Sequence, residues 1–164
     1  MLIRQIQRED AKQLLQLQLL LDQETQFMLR ESGERSTSVE EQLQHIDFVL
    51  ARGGMIFVAE HDGQIVGHLG ATMYAFRRVR HSATIVIGII QEWTHRGVGN
   101  SLFAAMEEWA RQKHLHRLEL TVMTNNIAGI ALYKKRGFEI EGMRKDAYLV
   151  NGRYIDEYSM AKLL

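Results

Sequence analysis

The sequence predicts a single mixed α/β domain over residues 1–164, with a central sheet of about seven strands and about four helices. A length of 164 residues fits one domain, and the 46% apolar content is enough for one core. The segment Met55–Thr72 has the pattern of an antiparallel hairpin. The segment Thr84–Val122 has the pattern strand, helix, strand, which forms a parallel pair. A sheet that contains both kinds of pairing is mixed.

The N-terminal third predicts one strand and two helices. Met1–Gln7 alternates weakly between apolar and polar residues and predicts the first strand. Asp10 is placed to cap a helix whose apolar residues, ending at Leu21, share one face. Ser38–Glu41 (SVEE) is a capping box that opens the second helix, and Gly53–Gly54 ends that helix.

The rest of the chain predicts alternating strands and helices. Asp62-Gly63 supplies a tight turn between the strands Met55–Glu60 and Gln64–Thr72. The almost wholly apolar run Thr84–Ile90 predicts a central strand that is buried on both faces. The other predicted elements are a turn over Gln91–Asn100, a helix over Ser101–His114, a strand over Leu118–Val122, a helix over Ile127–Lys135, and strands over Phe138–Arg144 and Arg153–Ala161 that flank a turn at Asn151-Gly152.

Composition and charge argue against several classes of partner. Twenty basic and twenty acidic residues give a formal net charge of zero, so no overall field attracts nucleic acid or acidic membranes. The chain has no cysteine, which fits a reducing compartment, and its first ten residues are too charged for a secretory signal. The closely spaced pair His114 and His116 has no acidic third ligand nearby, so no metal site is predicted. The expectation is a cytoplasmic protein.

The segment Ile85–Asn100 predicts an anion-binding site, because a buried strand runs through a Gly-containing turn into a helix. The first amides of a helix lack acceptors within the helix and lie at the positive end of its dipole. The amides from His95 to Asn100 would therefore face the anion. Gly97 and Gly99 would let phosphate oxygens approach the backbone, and Arg96 would add positive charge.

Two common phosphate-binding motifs fit poorly. The P-loop string G-x-x-x-x-G-K-[ST] occurs nowhere in the chain. The dinucleotide fingerprint G-x-G-x-x-G fails because Leu102 stands at its last position, and the chain has one strand-helix-strand unit. Glu119, twenty residues past Gly99, is the feature that keeps a nucleotide-binding oxidoreductase as an alternative.

Two motifs resemble those of the GNAT N-acetyltransferases. Thr94–Gly99 (THRGVG) is similar to the acetyl-CoA signature [RQ]-x-x-G-x-[GA], except that Thr94 replaces Arg or Gln. Asn126–Phe138 (NIAGIALYKKRGF) is similar to N-x-x-A-x-x-L-Y-x-x-x-G-F, with Gly129 where Ala is usual. The resemblance extends over nearly the whole chain, toward the ribosomal-protein and amino-acid N-acetyltransferases. It implies a GNAT fold with a sheet splayed at its middle, and acetyl transfer from acetyl-CoA to a primary amine by direct attack in a ternary complex.

The resemblance also implies roles for individual residues. Tyr133 would be the general acid, because a phenol with a pKa of about 10 is protonated at neutral pH and can reprotonate the departing thiolate. Asn126 would contact the pantetheine arm, and the backbone of Ile89 and Ile90 would orient the thioester. The expected cofactor-binding residues are Ile89, Ile90, His95, Arg96, Gly97, Val98, Gly99, Asn100, Ser101, Asn126 and Tyr133.

The general base does not follow from the motifs, because the predicted central strand Thr84–Ile90 contains no carboxylate. His81, just before that strand, is the first candidate, followed by Glu24 and Glu31 from the region of the first helix. The acceptor amine also stays open among amino acids, polyamines, protein N-termini and drugs. A catalytically silent acyl-CoA-binding regulatory module on the same fold is the alternative function, and the resemblance makes a homodimer through the C-terminal strands plausible.

Overall fold

Seven strands and four α-helices make up the protein, and the computed structural model describes all residues 1–164. The strands are β1 (Leu2–Gln5), β2 (Met55–His61), β3 (Gln64–Met73), β4 (Ser82–Ile89), β5 (Arg117–Met123), β6 (Glu139–Val150) and β7 (Arg153–Leu163). The helices are α1 (Ala11–Glu24), α2 (Val39–Ala51), α3 (Val98–Gln112) and α4 (Ile127–Lys135). The strands form one sheet in the order β1-β2-β3-β4-β5-β7-β6, in which the pair β4 and β5 is parallel and all others are antiparallel. The predicted mixed sheet is confirmed.

The sheet carries a hydrophobic core on each face. Ile56 and Val58 of β2 pack in one core with α1 and α2. Phe57, which lies between them, packs in the larger core with α3, Tyr133 and Phe138. Since successive side chains of a strand point to opposite faces, the two helical layers lie on opposite sides of the sheet.

Sequence signals at two helix starts have different outcomes. The capping box of α2 is confirmed: Ser38 Oγ accepts a hydrogen bond from Glu41 N at 3.1 Å, and Glu41 Oε2 accepts one from Ser38 N at 2.7 Å. The predicted cap of α1 is wrong, because Asp10 makes no side-chain cap there. Its carboxylate instead accepts hydrogen bonds from the Arg4 guanidinium and from Gln7 N, which fix the preceding turn.

The parallel pair β4 and β5 opens into a gap. The two strands pair only where Ser82–Thr84 faces Arg117–Glu119. Beyond these residues β4 stays paired with β3 and β5 stays paired with β7, but β4 and β5 no longer pair with each other. The splay that the resemblance implied is therefore present, and it leaves backbone hydrogen-bonding groups unpaired along both facing edges.

Helix α3 begins at Val98, earlier than the predicted start at Ser101. The cause is Gly97, whose left-handed backbone (φ +83°) turns the chain directly into the helix. At 15 residues α3 is the longest helix, and no helix combines the length and apolar character needed to cross a bilayer.

Strand β6 continues to Val150, whereas the sequence predicts its end at Arg144. The register of β6 against β7 shifts between Arg144 and Tyr148, and Asp146 there has a φ of +50°. Such an irregularity interrupts the alternation by which a strand is recognised. The hairpin then closes through Asn151-Gly152, both with positive φ, as predicted.

Candidate functional site

A cleft of about 760 Å³ occupies the gap between β4 and β5. Leu21 and Glu24 of α1 line it from one helical layer, and Val98 of α3 and Leu132 of α4 line it from the other. Because these layers lie on opposite faces, the cleft passes through the sheet. We call this space the central cleft.

Backbone groups of β4 point into the central cleft. Ile90 N donates to Val66 O at 3.1 Å, so Ile90 forms a hydrogen-bonded pair with β3. Alternation along an antiparallel pair directs the N–H and C=O groups of Ile87 and Ile89 away from β3 and toward the gap. Ile89 can therefore bind a ligand through its backbone. Both backbone groups of Ile90 already take part in hydrogen bonds, since its carbonyl accepts one from Trp93 N at 2.9 Å, and Ile90 does not line the central cleft.

The N-terminus of α3 presents free amides to the central cleft. None of the N–H groups from His95 to Asn100 has an acceptor in the chain, and the first bond of the helix runs from Ser101 N to Gly97 O at 3.1 Å. His95 and Gly97 have positive φ values of +58° and +83°, which make successive N–H groups converge. With the helix dipole, this arrangement suits a phosphate group.

Gly97 before α3 and Gly99 in its first turn are needed for different structural reasons. A Cβ atom on Gly97 would meet nothing within 4 Å, so Gly97 is required by its positive φ and leaves open space for a ligand. A Cβ atom on Gly99 would lie 2.8 Å from Leu132 Cδ2. Gly99 therefore first serves the close packing of α3 on α4, although it also lines the central cleft.

Two predicted cofactor residues of this turn lie outside the lining of the central cleft. Arg96 places its guanidinium over the Trp93 ring, 4.8 Å from the ring centre. Ser101 directs its hydroxyl to Gly97 O at 3.4 Å. Thr94, which departs from the family motif, donates its hydroxyl to Gln91 O at 2.8 Å and so fixes the turn before the amides.

Asn126 begins α4 and lines the central cleft. Its Oδ1 accepts a hydrogen bond from Gly129 N at 2.9 Å, which caps the helix and leaves Nδ2 as a donor for a ligand. A Cβ atom on Gly129 would lie 2.8 Å from that Nδ2 atom. The glycine found here in place of alanine gives the Asn126 side chain room.

Tyr133 lines the central cleft from α4 and is only 8% exposed. Its ring packs edge-on against Phe103 at 5.9 Å and lies 6.2 Å from Phe138. Burial raises the pKa of Tyr133 to about 12, and no hydrogen bond to the hydroxyl contributes to that shift. The phenol is therefore protonated at neutral pH and is free to donate.

A smaller recess of about 320 Å³ adjoins the central cleft. It lies between residues 22–32 and the hairpin of β6 and β7, and we call it the side recess. Glu31 lines only the side recess, whereas Glu24 lines both spaces and accepts a hydrogen bond from Gln91 N at 2.8 Å. The residues that line both spaces are Glu24, Thr25, Met28, Leu29, Met123 and Tyr148.

His81, the first candidate for the base, is not brought to the site. It is exposed at the opposite end of β4 from Ile89, and its ring lies 6.3 Å from that of His116. It lines neither the central cleft nor the side recess. Of the three candidate bases, Glu24 alone reaches the central cleft.

Sequence reasoning missed Tyr148 and Glu157. Tyr148 belongs to the part of β6 that follows the irregularity, and Glu157 is a carboxylate on β7 that is 1% exposed. The hairpin turn at Asn151-Gly152 was the available signal, because continuing both strands from it brings Tyr148 beside β7.

Residues 3–159 match the family described as "Acetyltransferase (GNAT) domain". The chain belongs to the GNAT acetyltransferase family. This membership confirms the resemblance of the two motifs and argues against the alternative of a nucleotide-binding oxidoreductase. The match covers nearly the whole chain, with all four helices, five complete strands and most of β1 and β7.

Relatives of this GNAT chain include enzymes and solved structures. It is 42% identical over 110 residues to the L-amino acid N-acetyltransferase of Escherichia coli K12, a match that covers 65% of this chain and 66% of that protein. The chain thus spans just under two thirds of the length of that curated relative. A GNAT acetyltransferase structure from Streptococcus pneumoniae is 31% identical, covers 99% of this chain and 98% of that one, and has a TM-score of 0.94. A ribosomal-protein-alanine N-acetyltransferase structure from Brucella melitensis is 28% identical with full coverage of both chains and a TM-score of 0.89.

Proposed function

We propose that the protein is an acetyl-CoA-dependent N-acetyltransferase that acetylates a primary amine by direct attack in a ternary complex. The observation that carries this proposal is the central cleft, which joins the free amides of α3 to the side recess through the sheet. Two substrates can enter such a passage from opposite sides and meet inside it. A protonated phenol, Tyr133, stands in its wall.

Acetyl-CoA would supply the acetyl group as a thioester. The amides from His95 to Asn100 would bind its diphosphate, and the free backbone groups of Ile87 and Ile89 would bind the amides of the pantetheine arm. Asn126 Nδ2 would donate to the same arm. Tyr133 would protonate the departing thiolate and regain a proton from solvent.

We assign the general base to Glu24. Its Oε2 atom is fixed by the amide of Gln91, which leaves Oε1 free to accept a proton at the junction of the two spaces. The proton lost by the ammonium group would pass to this carboxylate before the nitrogen attacks the thioester carbon.

We propose an α-amino group beside an apolar side chain as the acceptor, in a free amino acid or at the start of a polypeptide. At pH 7, deprotonation costs an α-amine about 1 kcal/mol and a lysine-like amine about 4.6 kcal/mol. The E. coli relative is named for L-amino acids, and the Brucella relative is named for a ribosomal-protein alanine. Phe27, Leu29 and Val86 line the central cleft with exposed apolar groups, which suits an apolar substituent.

The test combines binding and turnover. Acetyl-CoA binding is measured by calorimetry, and CoA release is measured with L-leucinamide, L-leucine, an alanyl peptide and spermidine. We expect micromolar acetyl-CoA binding by the wild type and loss of that binding in Gly97→Glu, which puts a carboxylate among the free amides. Gly63→Glu is the matched control, because Gly63 also has a positive φ and open space but lies in the hairpin of β2 and β3. Absence of wild-type binding would refute the proposal, and binding without CoA release from any amine would favour the silent acyl-CoA-binding module.

We also propose a homodimer through the C-terminal strands. Strand β6 is an edge of the sheet, 12 residues long, with exposed Ile140, Met143 and Leu149. An exposed apolar edge strand is a template for pairing with a second chain. Light scattering should give twice the chain mass, and Met143→Lys should reduce it to the monomer. A monomeric wild type would refute this part.

The proposed compartment is the cytoplasm. Two features support it: the proposed use of acetyl-CoA, and a chain without cysteine, which agrees with a reducing environment. Cell fractionation followed by immunodetection would test it, and recovery outside the cytoplasm would refute it.

A further inference from the structure

The junction between the central cleft and the side recess has few polar side chains. Of the residues that line both spaces, only Glu24, Thr25 and Tyr148 have an oxygen atom in the side chain. The Thr25 hydroxyl already accepts a hydrogen bond from Phe27 N at 3.2 Å. A nucleophile that arrives at the junction therefore meets the free oxygen of Glu24 and the hydroxyl of Tyr148, besides the Thr25 hydroxyl, which retains a donor hydrogen and one lone pair.

The Tyr148 hydroxyl has a fixed orientation. Tyr148 Oη donates to Glu157 Oε1 at 2.5 Å, and Glu157 Oε2 accepts from Arg144 at 2.7 Å. Glu157 is 1% exposed, so water does not compete for its two hydrogen bonds. A phenol has one hydrogen, and here Glu157 takes it. Tyr148 consequently offers only lone pairs to the junction. Burial, and next the bond to Glu157, raise the pKa of Tyr148, which keeps it a phenol.

We propose that Tyr148, oriented by Glu157, binds the acceptor's amino group by accepting one of its N–H hydrogens. This inference rests on the proposed acetyl transfer and adds a positioning residue to it. No bond forms or breaks at Tyr148. Once Glu24 has passed the ammonium's proton on to solvent, one N–H of the neutral amine points to Tyr148 Oη, a second points to the Glu24 carboxylate, and the nitrogen lone pair faces the thioester.

The arrangement explains a preference for nitrogen over oxygen. Tyr148 and Glu24 are both acceptors, so the nucleophile must supply two hydrogens to satisfy them. A primary amine does so, whereas a hydroxyl has only one hydrogen and leaves one of the two acceptors unpaired.

The decisive variants are Tyr148→Phe and Glu157→Gln, with L-leucinamide as the amine. Tyr148→Phe removes the acceptor and should raise the KM for L-leucinamide by about tenfold or more, with the acetyl-CoA Kd within about twofold of wild type. Glu157→Gln supplies an amide that can donate, so the phenol hydrogen is released to turn toward the junction, and the KM should rise in the same direction. Tyr154→Phe is the matched control, since Tyr154 lies on the same hairpin, is 67% exposed and lines neither space.

Binding of L-leucinamide to the CoA-saturated protein, measured by calorimetry, provides a readout that does not depend on turnover. An unchanged KM and an unchanged affinity in folded Tyr148→Phe would overturn the inference while leaving the acetyl transfer intact. Circular dichroism verifies folding, and Glu157→Gln decides the question if Tyr148→Phe does not fold. Failure of the proposed function itself would appear earlier, as a wild type that neither binds acetyl-CoA nor releases CoA.

Discussion

Two tyrosines face the central cleft, and their surroundings give them opposite properties. Tyr133 is packed among aromatic rings, and its hydroxyl hydrogen is free to be given away. Tyr148 has already directed its hydrogen to Glu157 and can only accept. The same side chain is therefore a donor on one wall of the cleft and an acceptor on the other.

Tyr133→Phe tests whether the Tyr133 hydroxyl supplies the proton that the departing thiolate needs. We expect kcat to fall by about 10²-fold or more for Tyr133→Phe, because a positioned acid contributes a factor of this size. The acetyl-CoA Kd should not change, since only one hydroxyl is lost. Steady-state kinetics and calorimetry measure the two quantities, and an unchanged kcat would rule out Tyr133 as the acid.

Glu24→Gln tests the proposed base. The variant should lower kcat/KM at pH 7 by about 10²-fold, and the defect should shrink as the pH rises toward about 9, because solvent then deprotonates the α-amine. Glu31→Gln is the control, since Glu31 lines the side recess but not the central cleft. A pH profile with a constant ratio of variant to wild type would contradict the assignment.

The sequence predicted these residues unequally, for physical reasons. Tyr133 and Asn126 lie within one continuous motif, so their spacing on a helix start and its following turns is local information. Glu24 is brought to β4 by a hydrogen bond to Gln91, 67 residues away along the chain. Contacts at such a separation leave no local pattern, and the same applies to Tyr148 with Glu157 across the hairpin.

At the scale of elements, the contact between α3 and α4 shapes the part of the central cleft where acetyl-CoA is proposed to bind. Gly99 permits Leu132 to approach the α3 backbone, and both residues line the central cleft. The strand-helix-strand order predicted this neighbourhood of elements. It could not predict that the first turn of α3 includes Gly99, because the start of the helix depends on the left-handed conformation of Gly97.

Gly99→Ala should destabilise the fold. The new Cβ atom would lie 2.8 Å from Leu132 Cδ2, and such overpacking costs about 1–3 kcal/mol, of which the better helix propensity of alanine offsets about 1 kcal/mol. Leu132→Ala in the same chain should recover part of the loss by removing the opposing atoms. Gly142→Ala is the control, since its Cβ would meet nothing within 4 Å and its φ is not positive. Urea unfolding gives the free energy of unfolding of each variant. Equal losses in Gly99→Ala and Gly142→Ala would contradict the packing argument.

At the scale of the whole molecule, one buried histidine links stability to pH. His68 on β3 is 7% exposed, and burial, followed by the positive charge of Arg35, lowers its pKa to about 4 from an ordinary value of 6.5. The unfolded chain therefore binds a proton more readily than the folded one between these values. The free energy of unfolding is therefore unaffected by His68 protonation above pH 6.5, and it decreases as the pH falls from 6.5 toward 4.

We expect up to about 3 kcal/mol of the free energy of unfolding to disappear over that range because of His68. Urea unfolding of the wild type and of His68→Gln at a series of pH values gives the difference that belongs to this residue. His114→Gln provides the comparison, because His114 is exposed at the end of α3. If the free energy of unfolding depends on pH in the same way in the wild type and in His68→Gln, His68 is not the cause of the pH dependence.

The opening between β4 and β5 places the two proposed substrate sites largely on different elements. In the proposed function, the turn before α3 and the start of α4 would bind one substrate, and residues 22–32 with the tip of the β6 and β7 hairpin would bind the other. Apart from the residues at the junction, such as Glu24 with its hydrogen bond from Gln91 N, substitutions in the second set do not contact the first set. A lineage built on this plan can acquire new amines by drift in a loop and a hairpin while inheriting its acyl donor unchanged. Such a separation agrees with the names of two relatives that share this family, one named for L-amino acids and one for a ribosomal-protein alanine.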